Sequence, residues 1–581
     1  MQRLRLTLLA LLAVLALVAA GCGGDDDADT GTEAGTEAEA DTEADAGTEA
    51  EAEGTDTEGA AEDDDQAGAG GEFSVYIGEP QSLTPTNTNE TNGSEVLNAL
   101  FTGLVEYDPE TSEPLLGDEA ARAMAQSIET EDQQTYTITL KEGYTFHDGT
   151  PVTAQSYVDS WNYAAYGPNA QGNSYFMGNI QGYDELQCGE GDEGPDCEAA
   201  PPASEEMSGL AAPDETTIEV TLNEPFSQFP LTVGYTAFYP MPEAFFSDPD
   251  TYNEAPIGNG PFMMDGEWNH DQAVNVVRYE DFAGEPAQAD AIEFRIYAEQ
   301  TTGYNDLLAG SLDVMDALPP ENIPQAPDEF GDRYIERESS SHTYLGFPLY
   351  DERFSNPDLR IAFSKAIDRE AIVEAVRPDQ TAAYSVVSPV VAGAREDPCG
   401  DNCAYDPEAA MELFESAGGY EGTLTLWFNA GAGHDEWVQA VANQLQQNLG
   451  ITDVEFETLQ FAEYLGLLDN EEITGPYRLG WVMDYPSPQN YLEPIFGSEG
   501  SSNNSGYSNP EVDELIAQGN AAESVDAGIE FYNQAEDIIL QDMPHIPIFF
   551  GRVSAATSEN VDNVVIDAFT QIRTADITVN Q

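Results

Sequence analysis

Between Gly23 and Gly71 the chain has no aromatic residue and no leucine, isoleucine or valine. A stretch with nothing to bury cannot offset the entropy lost on ordering, so it stays outside any core. Whatever folds must therefore come from Glu72 onward, about 510 residues rich in Tyr, Phe and Leu. That length supports more than one core and exceeds a single simple domain, so two or three lobes are expected. The excluded stretch is almost wholly Asp, Glu, Thr, Ala and Gly. Its like charges repel and extend it, and residues 22–71 read as an acidic disordered tether.

Ahead of the tether, Arg3 and Arg5 precede an apolar run from Leu6 to Ala20 that closes on Gly21-Cys22. The run falls short of the roughly 20 residues a membrane-spanning helix needs, and no basic stop-transfer flank follows it, so residues 1–21 read as an export signal. Ala19-Ala20-Gly21-Cys22 resembles a bacterial lipobox, which implies cleavage before Cys22 and acylation of its thiol. The alternative is an ordinary cleaved signal peptide with Cys22 idle.

The formal charge is −93, and the tether holds only 19 of the 110 acidic residues. The folding part is thus strongly acidic itself, with Lys141 and Lys365 the only lysines. Such a surface suits solubility in salty surroundings and makes nucleic acid and anionic lipid poor partners. Apart from Cys22, the cysteines fall into two near pairs, Cys188 with Cys197 and Cys399 with Cys403. In an oxidising exterior, pairing within each gives two short surface loops stapled by disulfides. A metal reading of Cys399-x3-Cys403 would need further Cys or His ligands, and none is close in sequence, so no metal is expected.

Along the rest of the chain, YTITL (Tyr136 to Leu140), TIEVTL (Thr217 to Leu222), VNVVRY (Val274 to Tyr279) and LTLWF (Leu424 to Phe428) alternate like strands. Asn356-Pro357, Asp406-Pro407 and Asn509-Pro510 each place a capping side chain before a proline at the first helical position. Gly418 and Gly519 sit where helices would end in a left-handed residue. Leu359 to Val376 and Glu436 to Gly450 show helical spacing, so the pattern is mixed α/β. GWVMDYPSPQNYLEPIFG (Gly480 to Gly497) sets aromatics beside Asp, Asn and Pro, and reads as an extended segment suited to a cleft wall.

Several blocks then occur in a fixed order: EPQSLTPTNTNE (79–90), LKEGYTFHDGTPVTAQSYVDSW (140–161), IGNGPFMMDGEW (257–268), LLAGSLDVM (307–315), YLGFPLYDERFSNPDLRIAFSKAIDRE (344–370), YDPEAAMELFESAG (405–418) and GWVMDYPSPQNYLEPIFG (480–497). This ordered set resembles the extracellular solute-binding proteins of family 5, the oligopeptide- and dipeptide-binding receptors of bacterial ABC importers. The resemblance covers nearly all of 72–581. It implies a periplasmic-binding-protein-like α/β fold with two main mixed α/β lobes and an extra lobe inserted in the first. By analogy, lobe I takes about 72–114, 214–342 and 544–581, the extra lobe about 115–213, and lobe II about 343–543. Hinge closure of the lobes over the ligand is the implied motion.

A peptide offers an ammonium at one end, a carboxylate at the other and a ladder of donors and acceptors between. Asp484 matches the family position whose carboxylate holds the ligand's α-ammonium, beside Trp481 and Tyr485 of the same motif; the bland alternative is a loop Asp capping the turn before Pro486. Arg478 and His434 resemble positions that supply counter-charge to the peptide carboxylate. Otherwise Arg478 is a surface ion pair and His434 a helix-start polar residue. Asp469 stands where relatives carry a second arginine, which leaves the preferred peptide length open. Tyr175 and Phe461 are candidates for side-chain pocket walls, or plain core.

The resemblance implies a lipoprotein on the outer face of the cell membrane. It would act as a monomer that hands short peptides to ABC permease subunits, with no cofactor and no nucleic acid involved. Relatives of this fold also take sugars, nickel complexes, opines or haem, so a non-peptide solute is the first rival. A secreted hydrolase is the second, though the chain has no G-x-S-x-G elbow, no H-E-x-x-H pair and only five histidines. His147 in FHDGTPV reads as part of a turn. A signalling or chaperone-like receptor of the same fold is the third.

Overall fold

The computed structural model describes residues 70–191, 194–195, 197–430 and 433–580. The export signal, Cys22 and the tether up to residue 69 lie outside them. Order begins where aliphatic and aromatic residues do: Glu72–Ile77 is a strand that pairs in parallel with Ala291–Ile296. Ala291–Ile296 pairs in turn antiparallel with Ala273–Arg278. Phe73, Val75, Val274, Val276, Ile292 and Phe294 form the centre of a first core.

A second core lies under a four-stranded antiparallel sheet, ordered Ala125–Thr130, Thr135–Leu140, Thr217–Thr221, Leu210–Ala211. The period-2 alternation read in the sequence turns Tyr136, Ile138, Leu140, Ile218 and Val220 inward. Helix Ala154–Ala165 lays Tyr157 and Trp161 onto them, its start fixed by a capping box between Thr153 and Ser156. His147 ties a turn: its half-buried ring accepts from the Gly258 amide at 3.1 Å through Nδ1, which leaves Nε2–H to donate to Gly260 O at 3.2 Å. Burial lowers its pKa to about 4, so it stays neutral at ordinary pH.

The third core gathers helices Pro357–Lys365, Asp435–Leu449 and Val525–Asp542 around strand Leu424–Asn429, with Trp437 fully buried among them. Two 13-residue antiparallel strands, Tyr334–Gly346 and His545–Thr557, run through the 11-stranded sheet that links it to the first core. Val553 and Ala555 belong to the first core, whereas Leu345, Ile546, Ile548 and Phe549 belong to the third. Their ladder is interrupted between Glu338 and His342.

The helix caps form as the sequence predicts. Asn356, Asp406 and Asn509 accept from the amides of Asp358, Ala409 and Glu511, each with proline at the first helical position. Gly418 takes φ +101 after its helix. Three expectations are corrected. Leu359 to Val376 is two helices, Pro357–Lys365 and Arg369–Val376, because Asp368 accepts from the Ala371 amide and starts a new one. Gly519 lies inside helix Pro510–Asn520, where a Cβ would come within 2.4 Å of the Tyr532 ring; close packing against Tyr532, rather than a left-handed end, accounts for it. Within 480–497 only the first part is extended, since Gln489–Phe496 is helical.

Candidate functional site

A cavity of about 710 Å³ opens between segments of the first two cores and segments carried by the third. One wall includes Tyr107, Tyr175, Tyr235 and Tyr239; the other includes Phe461, Leu479, Trp481 and Asp484. Tyr175 and Phe461 are 44% and 49% exposed, high values for rings of this size, and both face this space. Tyr175 stacks on Phe176 with centroids 4.4 Å apart.

Trp481 ends the strand Tyr477–Trp481, which pairs with Tyr334–Gly346 in the register His342↔Trp481 to Gly346↔Tyr477. The chain then leaves the sheet and re-enters helix at Gln489–Phe496, and Asn490 in that helix clamps the loop between. Its Oδ1 accepts from the Asp484 amide at 2.8 Å and from Trp481 Nε1 at 3.1 Å, while its Nδ2 donates to Asp484 Oδ2 at 2.9 Å. Among the described residues no basic side chain forms an ion pair with Asp484. Burial pushes its pKa up to about 6, against the lowering effect of the Asn490 hydrogen bond. Its charge acts in turn on the facing wall, raising the hydroxyl pKa values of Tyr175 and Tyr235 beyond what burial alone does. A carboxylate held this way, ringed by aromatic faces, gains most from a cation.

Arg478 and His434 are close to each other but do not line the cavity. The reason is strand geometry: Leu479 and Trp481 share one face, and the Arg478 side chain leaves on the other. There Nη1 donates to Asn429 Oδ1 at 3.1 Å, Nε is buried without a partner, and no carboxylate pairs with the guanidinium among the described residues. Desolvation lowers its pKa to about 10. Arg478 is therefore no surface ion pair. His434 accepts from Trp437 Nε1 at 3.2 Å through Nδ1, and burial together with the Arg478 charge lowers its pKa to about 2. Tyr485 is also away from the cavity wall; it is buried, with its hydroxyl on Gln489 Oε1. Asp469 accepts from Asn504 at 3.1 Å.

The structure bonds Cys188 to Cys197 and Cys399 to Cys403, with Cα separations of 4.8 and 5.5 Å. In the second pair the two cysteines are buried in the third core, where Cys403 packs against Ser364, while Asp401 in the loop between them stays exposed. No group of His, Cys, Asp or Glu able to hold a metal occurs among the described residues. Sequence reasoning missed Asn490 and, apart from Tyr175, the tyrosines of the far wall. Asn490 lies six residues beyond Asp484 within the same motif, so its polar side chain was a readable signal; the tyrosines reach the site only through tertiary structure.

Comparison with known proteins agrees with this architecture. The family model described as "Bacterial extracellular solute-binding proteins, family 5 Middle" matches residues 119–503. The oligopeptide-binding protein OppA of Bacillus subtilis is 25% identical over 507 residues, 84% of this chain and 89% of that protein. The dipeptide-binding protein DppE of the same organism is 25% identical over 524 residues, 86% of this chain and 91% of that protein. The solved structure of the Escherichia coli murein tripeptide binding protein MppA superposes with a TM-score of 0.74, at 22% identity, over 88% of this chain and 98% of that one. With the family model spanning well over half of the chain and the fold shared nearly end to end, this protein belongs to the bacterial extracellular solute-binding proteins of family 5.

Proposed function

We propose that this protein is the lipid-anchored receptor of an ABC importer, capturing short peptides in the cavity and delivering them to a membrane permease without turning them over. The observation that carries the reading is Asp484: a carboxylate on the cavity wall, fixed by Asn490 beside Trp481 and lacking a basic partner among the described residues. A peptide α-ammonium supplies the missing charge. The names of the relatives, which bind oligopeptides, dipeptides and murein tripeptide, support the same ligand class. Of the two residues expected to neutralise the peptide carboxylate, Arg478 is the candidate, a buried cation without a carboxylate partner among the described residues that a ligand meets only if the wall of Leu479 and Trp481 moves; His434, held neutral by burial and the Arg478 charge, supplies no counter-charge. Tyr175 and Phe461 line side-chain space, and Tyr485, next to Asp484 in the chain, is buried with its hydroxyl on Gln489.

In this reading lobe II comprises about 343–543, and lobe I about 72–114, 214–342 and 544–581 less the strand Thr217–Thr221, which pairs with Thr135–Leu140 and joins the extra lobe of about 115–213. The strands Tyr334–Gly346 and His545–Thr557 act as the hinge, since their side chains enter two cores and their ladder is interrupted midway. Acylated Cys22 and the acidic tether hold a monomeric receptor at the outer face of the membrane. The test is native mass spectrometry of protein purified without refolding, then calorimetric titration of stripped protein and an Asp484→Ala variant with a tri- to pentapeptide pool. Co-purified peptide is expected, with binding weakened by about 3–5 kcal/mol in the variant. A bound sugar or metal chelate, with indifference to peptides, would overturn the ligand class.

A further inference from the structure

The cavity wall carries four carboxylates and two guanidiniums, and the protein already uses most of them. Glu90 spends both oxygens on the start of helix Thr91–Leu100, accepting from the amides of Asn92 and Gly93. Glu106 pairs with Arg573 and accepts from the Arg122 amide at 2.9 Å. Arg573 also binds Asp576 at 3.1 Å, and Arg122 binds Asp576 at 2.7 Å and Glu285 O at 3.0 Å. Arg122 Nη2 has no partner, but it is sealed from solvent. Neither guanidinium is therefore free to receive an anion.

Two carboxylates remain, Asp484 and Asp567. Asp567 Oδ1 shapes its own turn, accepting from the amides of Phe569 at 2.9 Å and Gln571 at 3.0 Å. No hydrogen bond to its Oδ2 and no ion pair to either oxygen occurs among the described residues. Arg573 and Arg337 act on it only from a distance; Arg337 is committed to Pro109 O and Ile566 O at 2.8 and 2.6 Å. Around it on the wall stand Tyr239, Phe569 and Tyr107, the last two with ring centroids 4.9 Å apart. This is a carboxylate edge set among aromatic faces, the surroundings that favour a cation.

We infer that the cavity selects ligands with two positive centres, an α-ammonium held by Asp484 and a cationic side chain of the lysine or arginine type held by Asp567. The inference rests on the peptide-receptor reading and adds the class of peptide. Acidic side chains are disfavoured in the same cavity, because no free basic group meets them and an unpaired charge there is costly to bury.

The experiment is calorimetric titration of the stripped, full-length folded chain with Ala-Ala-Ala and with single Lys, Glu or norleucine replacements at each position. At one position Lys is expected to bind at least about tenfold more tightly than norleucine, with Glu weakest. Asp567→Asn keeps the turn-forming oxygen and is expected to erase the Lys preference while leaving Ala-Ala-Ala unchanged; Asp567→Glu is expected to retain it. Thermal unfolding of both variants verifies that they fold. Equal binding of Lys and norleucine peptides at every position, or a Lys preference that survives Asp567→Asn, overturns the proposal while leaving peptide capture intact. If none of the peptides binds, both readings fall.

Discussion

Asn490 grips Asp484 twice, accepting from its backbone amide at 2.8 Å and donating to its carboxylate at 2.9 Å. The same Oδ1 accepts from Trp481, so one amide side chain sets the position of the anion and of the ring beside it. Replacing Asn490 with Ala removes all three bonds at a typical net cost of about 1 kcal/mol each at most, since the groups regain water when the cavity is empty. Peptide affinity is expected to fall roughly tenfold, with a smaller loss for Asn490→Gln. Titration of both variants against one tripeptide checks the order.

The raised pKa values of Asp484, Asp316 and Asp567, each about 6, predict how stability follows pH. An acid that holds its proton more tightly in the folded chain favours folding as pH falls through 6 towards 4, and opposes it above. These acids therefore contribute a gain in stability between pH 7 and pH 5, set against a loss from His147, His342 and His434, which stay neutral in the folded chain and take up protons when it unfolds. Asp484→Asn should raise the melting temperature at pH 7 and reduce the gain on acidification. Peptide affinity should run the other way, weakening below pH 6 as Asp484 takes up a proton. Melting curves and titrations across pH 4.5–7.5 check both directions.

Gly519 tests the packing of the third core. Its Cβ position lies 2.4 Å from Tyr532 Cε1, and Tyr532 is pinned by its hydroxyl bond to Asn520 at 2.8 Å. The ring cannot step aside without breaking that bond. Gly519→Ala is expected to destabilise by about 1–3 kcal/mol despite the better helix propensity of alanine, while Gly418→Ala, with nothing near its Cβ but φ +101, costs through backbone strain alone. Denaturant unfolding of the two variants compares them.

The surface charge predicts a salt dependence. Many of the few basic groups are buried or committed: Arg360, Arg369 and Lys365 lie within the third core's helices at 4%, 2% and 6% exposure. They do little to offset the acids outside, which repel one another at low ionic strength. Raising NaCl from 0.05 to 1 M shortens the screening length from more than about 10 Å to about 3 Å, and the melting temperature is expected to climb across that range. A flat or falling curve would contradict the role given to self-repulsion.

What the sequence made legible follows the range of the interaction. Asn356, Asp406 and Asn509 act on amides two or three residues away, and their helices begin where a local reading puts them. Asp484 and Trp481 were legible through a motif that keeps its neighbours together. Gly519 was misread because its reason, the Tyr532 ring, is tertiary. The break at Asp368 was missed because the apolar spacing continues across it. Arg478 and His434 came from matching positions, which cannot say to which face of a strand a side chain points. Asp567 gave no signal at all, since its neighbours across the cavity are hundreds of residues away.

Strand His545–Thr557 lends side chains to the first and third cores, most of whose other members come from earlier parts of the chain. Neither core is complete until this late segment has been made. A fragment stopped before His545 would therefore lack a central strand on both sides at once, and no cut there yields two halves that fold alone. Folding is thereby tied to the end of synthesis: until residues 545–557 are made, neither of these cores can close.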